Sequence, residues 1–221
     1  MEVLGRSAAD ELTERLVEEI VSGQLKPGER LVEAELANRY SVSRGPVRSA
    51  FAVLRGLGLV EVPTRRGTVV VELTDSEVAD LYEVRIALEC AAVDRLARLR
   101  DELDLSELRG RLEQLEGVGP TGSSSARAGT SLEFHHSLMA ASGNSRLLRA
   151  WESHADLIKL AMRIRQDVAR PTQDPALNEH REVLEALYSE DPGKAVGLMA
   201  SHLQVIRDEL VQLLHEKAGR P

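Results

Sequence analysis

Apolar side chains recur every three or four residues along most of the chain, and β-branched runs interrupt that spacing only in the first third. The helical spacing predicts amphipathic helices over residues 7–23, 33–40 and about 43–55. The runs 59–62 and 68–71 instead predict the two strands of a hairpin. Because a very short turn joins the second helix to the third, we expect a helix-turn-helix, and the hairpin that follows would be its wing.

After residue 73 the spacing is helical throughout. Six helices are predicted, over residues 75 to about 100, 104–116, 131–141, 145 to about 167, 176–189 and 191 to about 217. The Gly- and Ser-rich stretch 117–129 is predicted to be a flexible linker. The expected fold class is therefore mainly α. A winged helix-turn-helix of three helices plus a β-hairpin fills domain 1–72, and an all-α six-helix bundle fills domain 73–221.

The composition restricts the class of protein. Aromatic residues make up only 3% of the chain, so the core must be built from Leu, Val, Ile and Ala. The sequence contains no apolar run of the roughly 18 residues that a membrane span needs. Acidic residues stand where a signal peptide would be basic or apolar. Cys90 is the single cysteine, which excludes an intrachain disulfide. We expect a cytoplasmic protein with no membrane partner.

The charge is unevenly distributed. The net charge is −8, and residues 73–221 contribute −7 of it. Residues 39–67, by contrast, contain six arginines and a single acidic residue, Glu61. A basic patch carried by an acidic body is typical of a nucleic-acid-binding surface attached to a separate regulatory part.

The third predicted helix has two different faces. Ser43 is placed to cap its N-terminus. Arg44, Arg48 and Arg55 share a face beside the apolar one, which suits a DNA groove because Arg matches phosphates and the guanine edge bidentately. A solvated basic face on an ordinary core helix is the alternative. Arg39 and Arg55 fit either phosphate contacts or solvated surface positions. The apolar face consists of Val47, Ala50, Phe51 and Leu54.

The second domain has two sets of polar residues on apolar helix faces. Arg85 lies in the middle of such a face, and a buried charge is costly unless it is paired. Its partner is either Glu89, four residues on, or an anionic ligand. His135, His180 and His202 lie on or beside inward faces of three different helices. They are either satisfied core residues or ligands that converge on a transition metal.

The first domain contains a set of residues with a characteristic order and spacing: Leu16, Ile20, Gly23, Leu25, Pro27-Gly28, Leu31, Glu35-Leu36-Ala37, Val42-Ser43-Arg44, Pro46-Val47-Arg48, Leu54, Gly58-Leu59-Val60 and Arg66-Gly67. In these residues it resembles the winged helix-turn-helix of the GntR superfamily of bacterial regulators. The resemblance implies DNA contacts by Ser43, Arg44, Gly45 and Arg48 and by the wing residues Arg65, Arg66 and Gly67. Gly45 stands where the family often has Thr, so it offers no side-chain contact.

The second domain contains the segments Leu81 to Arg85 with Leu88-Glu89, Phe134-His135, Leu138, Ser142-Gly143-Asn144, Glu179-His180 and His202-Leu203. In these segments it resembles the FCD effector domain of the FadR branch. Many relatives hold a divalent metal with one Asp and three His, and the metal anchors a carboxylate effector. His135, His180 and His202 match the His positions, and Zn²⁺ or Ni²⁺ would suit them. Ser131 stands at the usual Asp position and is a poor ligand. The resemblance also places Arg85, Glu89 and Asn144 at the effector site.

Together these features predict a nucleoid-associated transcription regulator. A homodimer would bind a palindromic double-stranded operator, and a small carboxylate would modulate its DNA affinity. One alternative is the same regulator with a metal-free, structural cavity. A three-His metal hydrolase is the other, although the sequence has no HExxH-like element and Glu89 is the one obvious carboxylate by the site. We therefore expect no enzyme activity.

Overall fold

The computed structural model describes residues 7–64, 66–99, 103–118, 123–169, 175–189 and 191–218. Within them the chain forms two compact units, the first ending at Leu73 and the second beginning at Thr74. The boundary predicted from sequence lies one residue earlier. No helix in these ranges combines the length and the apolar character that crossing a membrane requires.

In its described residues the first unit contains three helices and three short strands. The hairpin strands β2 (Val60–Glu61) and β3 (Thr68–Val70) pair antiparallel as predicted. Strand β1 (Arg30–Leu31) pairs with the other edge of β3, which makes a three-stranded sheet in the order β1-β3-β2. The register places both Arg30 and Glu61 opposite Val69. The elements are α1 (Ala8–Ser22), β1 (Arg30–Leu31), α2 (Glu33–Arg39), α3 (Arg44–Gly56), β2 (Val60–Glu61) and β3 (Thr68–Val70).

Local sequence explains where α1 and α3 begin and end. Ser7 and Asp10 form a reciprocal capping box at the start of α1, and Gly23 ends it with a φ of 77°. Helix α3 buries the predicted apolar face completely or nearly so, and each of its larger side chains, Val47, Phe51 and Leu54, contributes roughly 1.5–3 kcal/mol. Ser43 is the N-cap residue of α3, but its hydroxyl makes no capping hydrogen bond, so the predicted side-chain cap is wrong.

The second unit is entirely helical in its described residues. Thr74 and Glu77 form a reciprocal capping box at the start of α4 (Asp75–Leu99). Helix α4 packs along α10 (Pro192–Ala218) more extensively than any other two helices of the described residues pack together. The helices are α4 (Asp75–Leu99), α5 (Ser106–Val118), α6 (Ser124–Ala141), α7 (Ser145–Glu152), α8 (Ala155–Ala169), α9 (Pro175–Ala186) and α10 (Pro192–Ala218).

The described part of this unit therefore has seven helices rather than the predicted six. The helix expected over residues 145–167 is divided into α7 and α8 at Ser153 and His154. The Ser153 hydroxyl donates to the Ala150 carbonyl at 2.7 Å, and His154 Nδ1 lies 2.9 Å from the same oxygen. Side chains that bond to backbone carbonyls compete with the helical hydrogen-bond ladder. The apolar spacing continues across this break, which is why it does not appear in the periodicity.

The linker predicted over residues 117–129 is also wrong in its second half. Residues 119–122 lie outside the described ranges, but α6 already begins at Ser124. Ser123 caps it by accepting from the Ala126 backbone N–H at 3.1 Å, and Ala128 is buried. The Gly and Ser content suggested a linker, whereas this Ser is a helix cap.

Candidate functional site

Helix α3 presents arginines on an exposed face while its apolar face is buried. Arg44 is exposed and makes no ion pair with any described residue. Arg48 is 67% exposed in its side chain, and its Nε donates to Glu33 Oε2 at 2.9 Å. This contact uses Nε alone and leaves the two Nη groups available. Ser43 and Gly45, at the start of the helix, are exposed as well.

The tip of the hairpin contains a basic residue followed by a glycine in a turn conformation. Arg66 and Gly67 are both exposed, and Gly67 has a φ of 74°, a conformation that side-chain-bearing residues adopt only with strain. Arg65, the other predicted wing contact, lies outside the described residues. The exposed face of α3 and this wing tip supply the kind of cationic surface that duplex DNA requires.

Arg39 and Arg55, which the sequence left open, differ in their surroundings. Arg39 Nη2 lies 3.0 Å from Glu19 Oε2, and its guanidinium lies 5.1 Å from the centre of the Tyr40 ring. The Arg39 guanidinium is thus partly engaged in contacts within the protein. Arg55 is exposed and forms no ion pair within the described ranges.

The three predicted histidines converge in the second unit. Helices α6, α9 and α10 supply His135, His180 and His202, all buried, with one ring nitrogen of each within 4.8 Å of the others. His180 Nε2 lies 3.0 Å from His135 Nε2. Two lone pairs cannot face each other at that distance, so a proton or a cation must lie between them.

Two carboxylates fix the orientation of two of these rings. His135 Nδ1 lies 2.7 Å from Glu89 Oε2, and His202 Nδ1 lies 2.6 Å from Glu179 Oε2. Each Nδ1–H therefore donates to a carboxylate, which leaves the Nε2 lone pair for a ligand. His202 Nε2 is buried and has no hydrogen-bond partner among the described residues.

Burial favours the neutral form of His135 and of His202. It lowers the pKa of His135 despite the opposing charge of Glu89. Burial also lowers the pKa of His202 well below its usual range, and the neighbouring His135 and Arg85 lower it further. Neutral imidazoles are the form that binds a metal ion.

The donor set fits a divalent transition metal. Tetrahedral zinc with Zn–N bonds of about 2.0–2.1 Å places its nitrogen ligands about 3.3 Å apart, close to the spacing of His135 and His180. Within the described residues no carboxylate belongs to this cluster. The Ser131 hydroxyl, at the predicted fourth position, is buried and lies 3.4 Å from His180 Nε2. The protein ligands of such a site are thus all uncharged.

A second buried polar group adjoins the histidines. Arg85 and Glu89 are both completely or almost completely buried, and Arg85 Nε donates to Glu89 Oε1 at 2.6 Å. Trp151 Nε1 donates to the same oxygen at 2.8 Å. Burial opposes ionisation of both partners, but the mutual attraction outweighs it, so the pKa of Glu89 is lowered and the pKa of Arg85 is raised. Arg85 Nη1 and Nη2 have no hydrogen-bond partner in the described part of the chain, nor does the buried Tyr82 hydroxyl.

Sequence reasoning missed some members of this site. Glu89 was predicted as a partner of Arg85 and, from the resemblance, as an effector-site residue, but its hydrogen bond to His135 was missed. That bond joins α4 to α6, so the spacing within one helix does not reveal it. The same holds for Glu179 with His202 and for the Trp151 indole. Asn144, predicted at the effector site, caps α7 by accepting from the backbone N–H groups of Arg146 and Leu147.

The fold and the two clusters define a class: a DNA-binding winged helix-turn-helix joined to an all-helical domain with a polar, histidine-lined centre. Family models agree with this division. The model for bacterial regulatory proteins of the gntR family matches residues 8–70, and the model for the FCD domain matches residues 80–205. The chain belongs to the GntR family of bacterial transcriptional regulators and carries an FCD domain.

Curated relatives have matching names. The chain is 31% identical over 198 residues to the "Probable D-xylose utilization operon transcriptional repressor" of Paenarthrobacter nicotinovorans, covering 89% of this chain and 86% of that protein. It is 26% identical over 198 residues to the gluconate operon transcriptional repressor of Bacillus subtilis, covering 88% and 81%. These relatives are named as transcriptional repressors, which places the chain among regulators rather than enzymes.

Solved structures share the fold. A GntR transcriptional regulator from Rhodococcus sp. RHA1 matches with a TM-score of 0.79 and 24% identity over 94% of this chain and 99% of that one. E. coli McbR/YncC matches with a TM-score of 0.76 and 20% identity over 97% of this chain and all of that one. At this identity the likeness concerns the fold alone.

Proposed function

We propose that this regulator is a cytoplasmic, nucleoid-associated homodimer that binds a palindromic operator through its winged domains. A small carboxylate bound in the FCD domain would change its affinity for DNA. Two winged domains related by a two-fold axis would read half-sites about one helical turn apart. Effector and operator would be coupled because the effector binds one arrangement of the dimer better than the other.

The observation that carries the DNA-binding part is the exposed, unpaired Arg44 at the start of α3. An exposed guanidinium on a helix with one buried face can bind guanine O6 and N7 bidentately in the major groove. Arg48, held through Nε by Glu33, keeps its Nη groups for a base or a phosphate. Arg65, Arg66 and Gly67 would approach the backbone or the minor groove from the wing.

The effector part of the proposal rests on the histidine cluster and Arg85. His135, His180 and His202 would hold Zn²⁺ or Ni²⁺, a Lewis acid with room for a carboxylate oxygen. With uncharged ligands, such an ion would retain its full double charge and attract an anion strongly. Arg85, with two unpartnered Nη groups, would supply further positive charge. Glu89 and Asn144 would act by orienting His135 and by ending the α6–α7 turn.

The names of two relatives suggest which effectors to try first. One is named for D-xylose utilization and another for a gluconate operon. Gluconate is itself a small carboxylate, so sugar-derived acids are the first candidates for this chain.

Selection of bound DNA from a random pool, with and without sugar acids and other small carboxylates, tests the whole proposal. We expect a palindromic consensus whose recovery changes when the right acid is present. Sedimentation of the protein with the selected DNA should give two chains per duplex. A pool that yields no consensus would contradict the proposal.

The metal-free regulator is the second candidate, since a proton on His180 also satisfies the short contact with His135. Elemental analysis of the purified protein, compared with a His180→Ala variant, separates the two. One equivalent of zinc or nickel in the wild type that is lost in the variant supports the metal site. Equal, negligible metal in both supports the structural cavity.

A further inference from the structure

The strand order of the first unit brings a residue from before the helix-turn-helix next to the wing. Strand β1 pairs with β3, and the register sets Arg30 opposite Val69, two residues after Gly67. Leu31 is buried and anchors the strand, whereas Arg30 is exposed. The wing therefore has a basic neighbour that is 37 residues distant in sequence.

The Arg30 side chain lies against the wing tip itself. A Cβ atom placed on Gly67 would be 3.7 Å from Arg30 Nε and 3.9 Å from Arg30 Nη2. The guanidinium thus lies over the backbone of Gly67, beside the exposed Arg66. Arg30 forms no ion pair and no side-chain hydrogen bond with any other described residue.

We propose that Arg30 is a phosphate-contacting residue of the DNA interface and extends the wing tip with a cation supplied by β1. This inference rests on the proposed function, because it needs the wing to approach DNA. Arg30 lies on a strand at the wing rather than on α3, so its partner is the backbone and not a base edge. It adds affinity equally for every sequence.

The salt dependence of DNA binding tests this contact. Each phosphate neutralised contributes about 0.9 to the slope of log K against log salt concentration. With duplex DNA selected by the wild-type protein, Arg30→Ala should reduce the magnitude of the slope by about 0.9 per winged domain bound. Near 0.15 M salt, affinity should fall about fivefold per domain. Arg30→Lys keeps the charge and should retain most of the slope.

Lys26 provides a matched control. It is exposed, carries the same charge and lies four residues before Arg30 in the turn that precedes β1. Lys26→Ala should leave the slope unchanged. An equal change for both variants would show a general charge effect and overturn the local contact.

Folding is monitored separately. Should Arg30→Ala unfold, Arg30→Gln provides the same loss of charge with a longer side chain. An unchanged slope in a folded, charge-removed variant would refute the role of Arg30 while leaving the proposed function intact. If instead the wild type binds no DNA at any salt concentration, the proposed function itself fails, and this inference with it.

Discussion

Arg44 in the first unit and Arg85 in the second have opposite surroundings, although they are the same type of residue. Arg44 stands in solvent at the start of α3 and has no ion-pair partner among the described residues. Arg85, on α4, is 1% exposed, and its Nε donates a hydrogen bond to Glu89 Oε1 at 2.6 Å. The first charge costs the fold little and is free for an outside partner. Burial makes the second charge depend on its carboxylate, and through Glu89 it is connected to the histidines. Removing a charge should therefore impair recognition in one unit and stability in the other.

The largest expected effect comes from breaking the buried pair. Glu89→Ala leaves the Arg85 cation without compensation in a dry interior and should cost about 3–5 kcal/mol in free energy of unfolding. It also removes the acceptor for Trp151 and His135. Denaturant unfolding of the metal-free protein measures this loss.

Helix α4 contains its own control for that experiment. Arg98 and Asp94 form another pair four residues apart, at 2.8 Å, but their side chains are 64% and 42% exposed to solvent. Asp94→Ala should leave the unfolding midpoint unchanged, because solvent and salt screen such pairs. Similar losses for Glu89→Ala and Asp94→Ala would show that burial does not distinguish them.

Arg44→Ala should impair DNA recognition and leave stability nearly unchanged, which is the reverse of what we expect for Glu89→Ala. It should cost about 1–3 kcal/mol of discrimination between the selected operator and a sequence with the contacted guanine replaced. The free energy of unfolding should change by less than about 0.5 kcal/mol, as it does for most surface substitutions. Competition binding with both duplexes measures the first quantity. Arg55→Ala is the control and should leave the discrimination unchanged. If Arg55 contacts a phosphate, its loss weakens both duplexes equally, and if it is a solvated surface residue, its loss weakens neither.

Glu179→Ala tests the histidine cluster of the second unit, the proposed metal site. Glu179 accepts from His202 Nδ1 at 2.6 Å and so fixes the ring that offers its Nε2. Loss of such an outer carboxylate typically reduces metal affinity about 10- to 100-fold. Zinc competition against a chromophoric chelator checks this. Glu182→Ala, at an exposed position on the same helix, should leave zinc affinity unchanged.

The smallest effect concerns an exposed pair that depends on pH. His215 Nδ1 lies 2.7 Å from Asp75 Oδ2, and this hydrogen bond raises the pKa of His215. A raised pKa in the folded state means that the pair stabilises the fold at low pH. That contribution is lost as pH rises through the folded pKa. His215→Ala should therefore lower Tm slightly at pH 6 and leave it unchanged at pH 9. A larger Tm difference at pH 9 would contradict the assignment.

Periodicity was enough to predict most of the fold. The apolar spacing within a single helix or strand was sufficient to predict the buried face of α3, the hairpin and the long α4. Spacing did not reveal the break at Ser153 and His154, because the apolar stripe continues through it. It also did not reveal the cap at Ser123, because the surrounding Gly and Ser content is typical of loops.

The candidate site was predictable only as a list of residues. His135, His180 and His202 could be picked out as polar residues on apolar faces, and the structure brings them together. Their outer partners, Glu89 and Glu179, come from other helices, so no local pattern connects them. Arg30 was missed for the same reason, since only strand pairing places it at Gly67.

Trp151 gives this chain a built-in optical probe. It is the one tryptophan in the sequence, and its buried indole is separated from the His135 ring by a single carboxylate. Indole fluorescence responds to nearby charge, so an ion arriving at the histidines should shift or quench the emission. Trp151 fluorescence would thus follow ion binding at the three histidines in unlabelled protein.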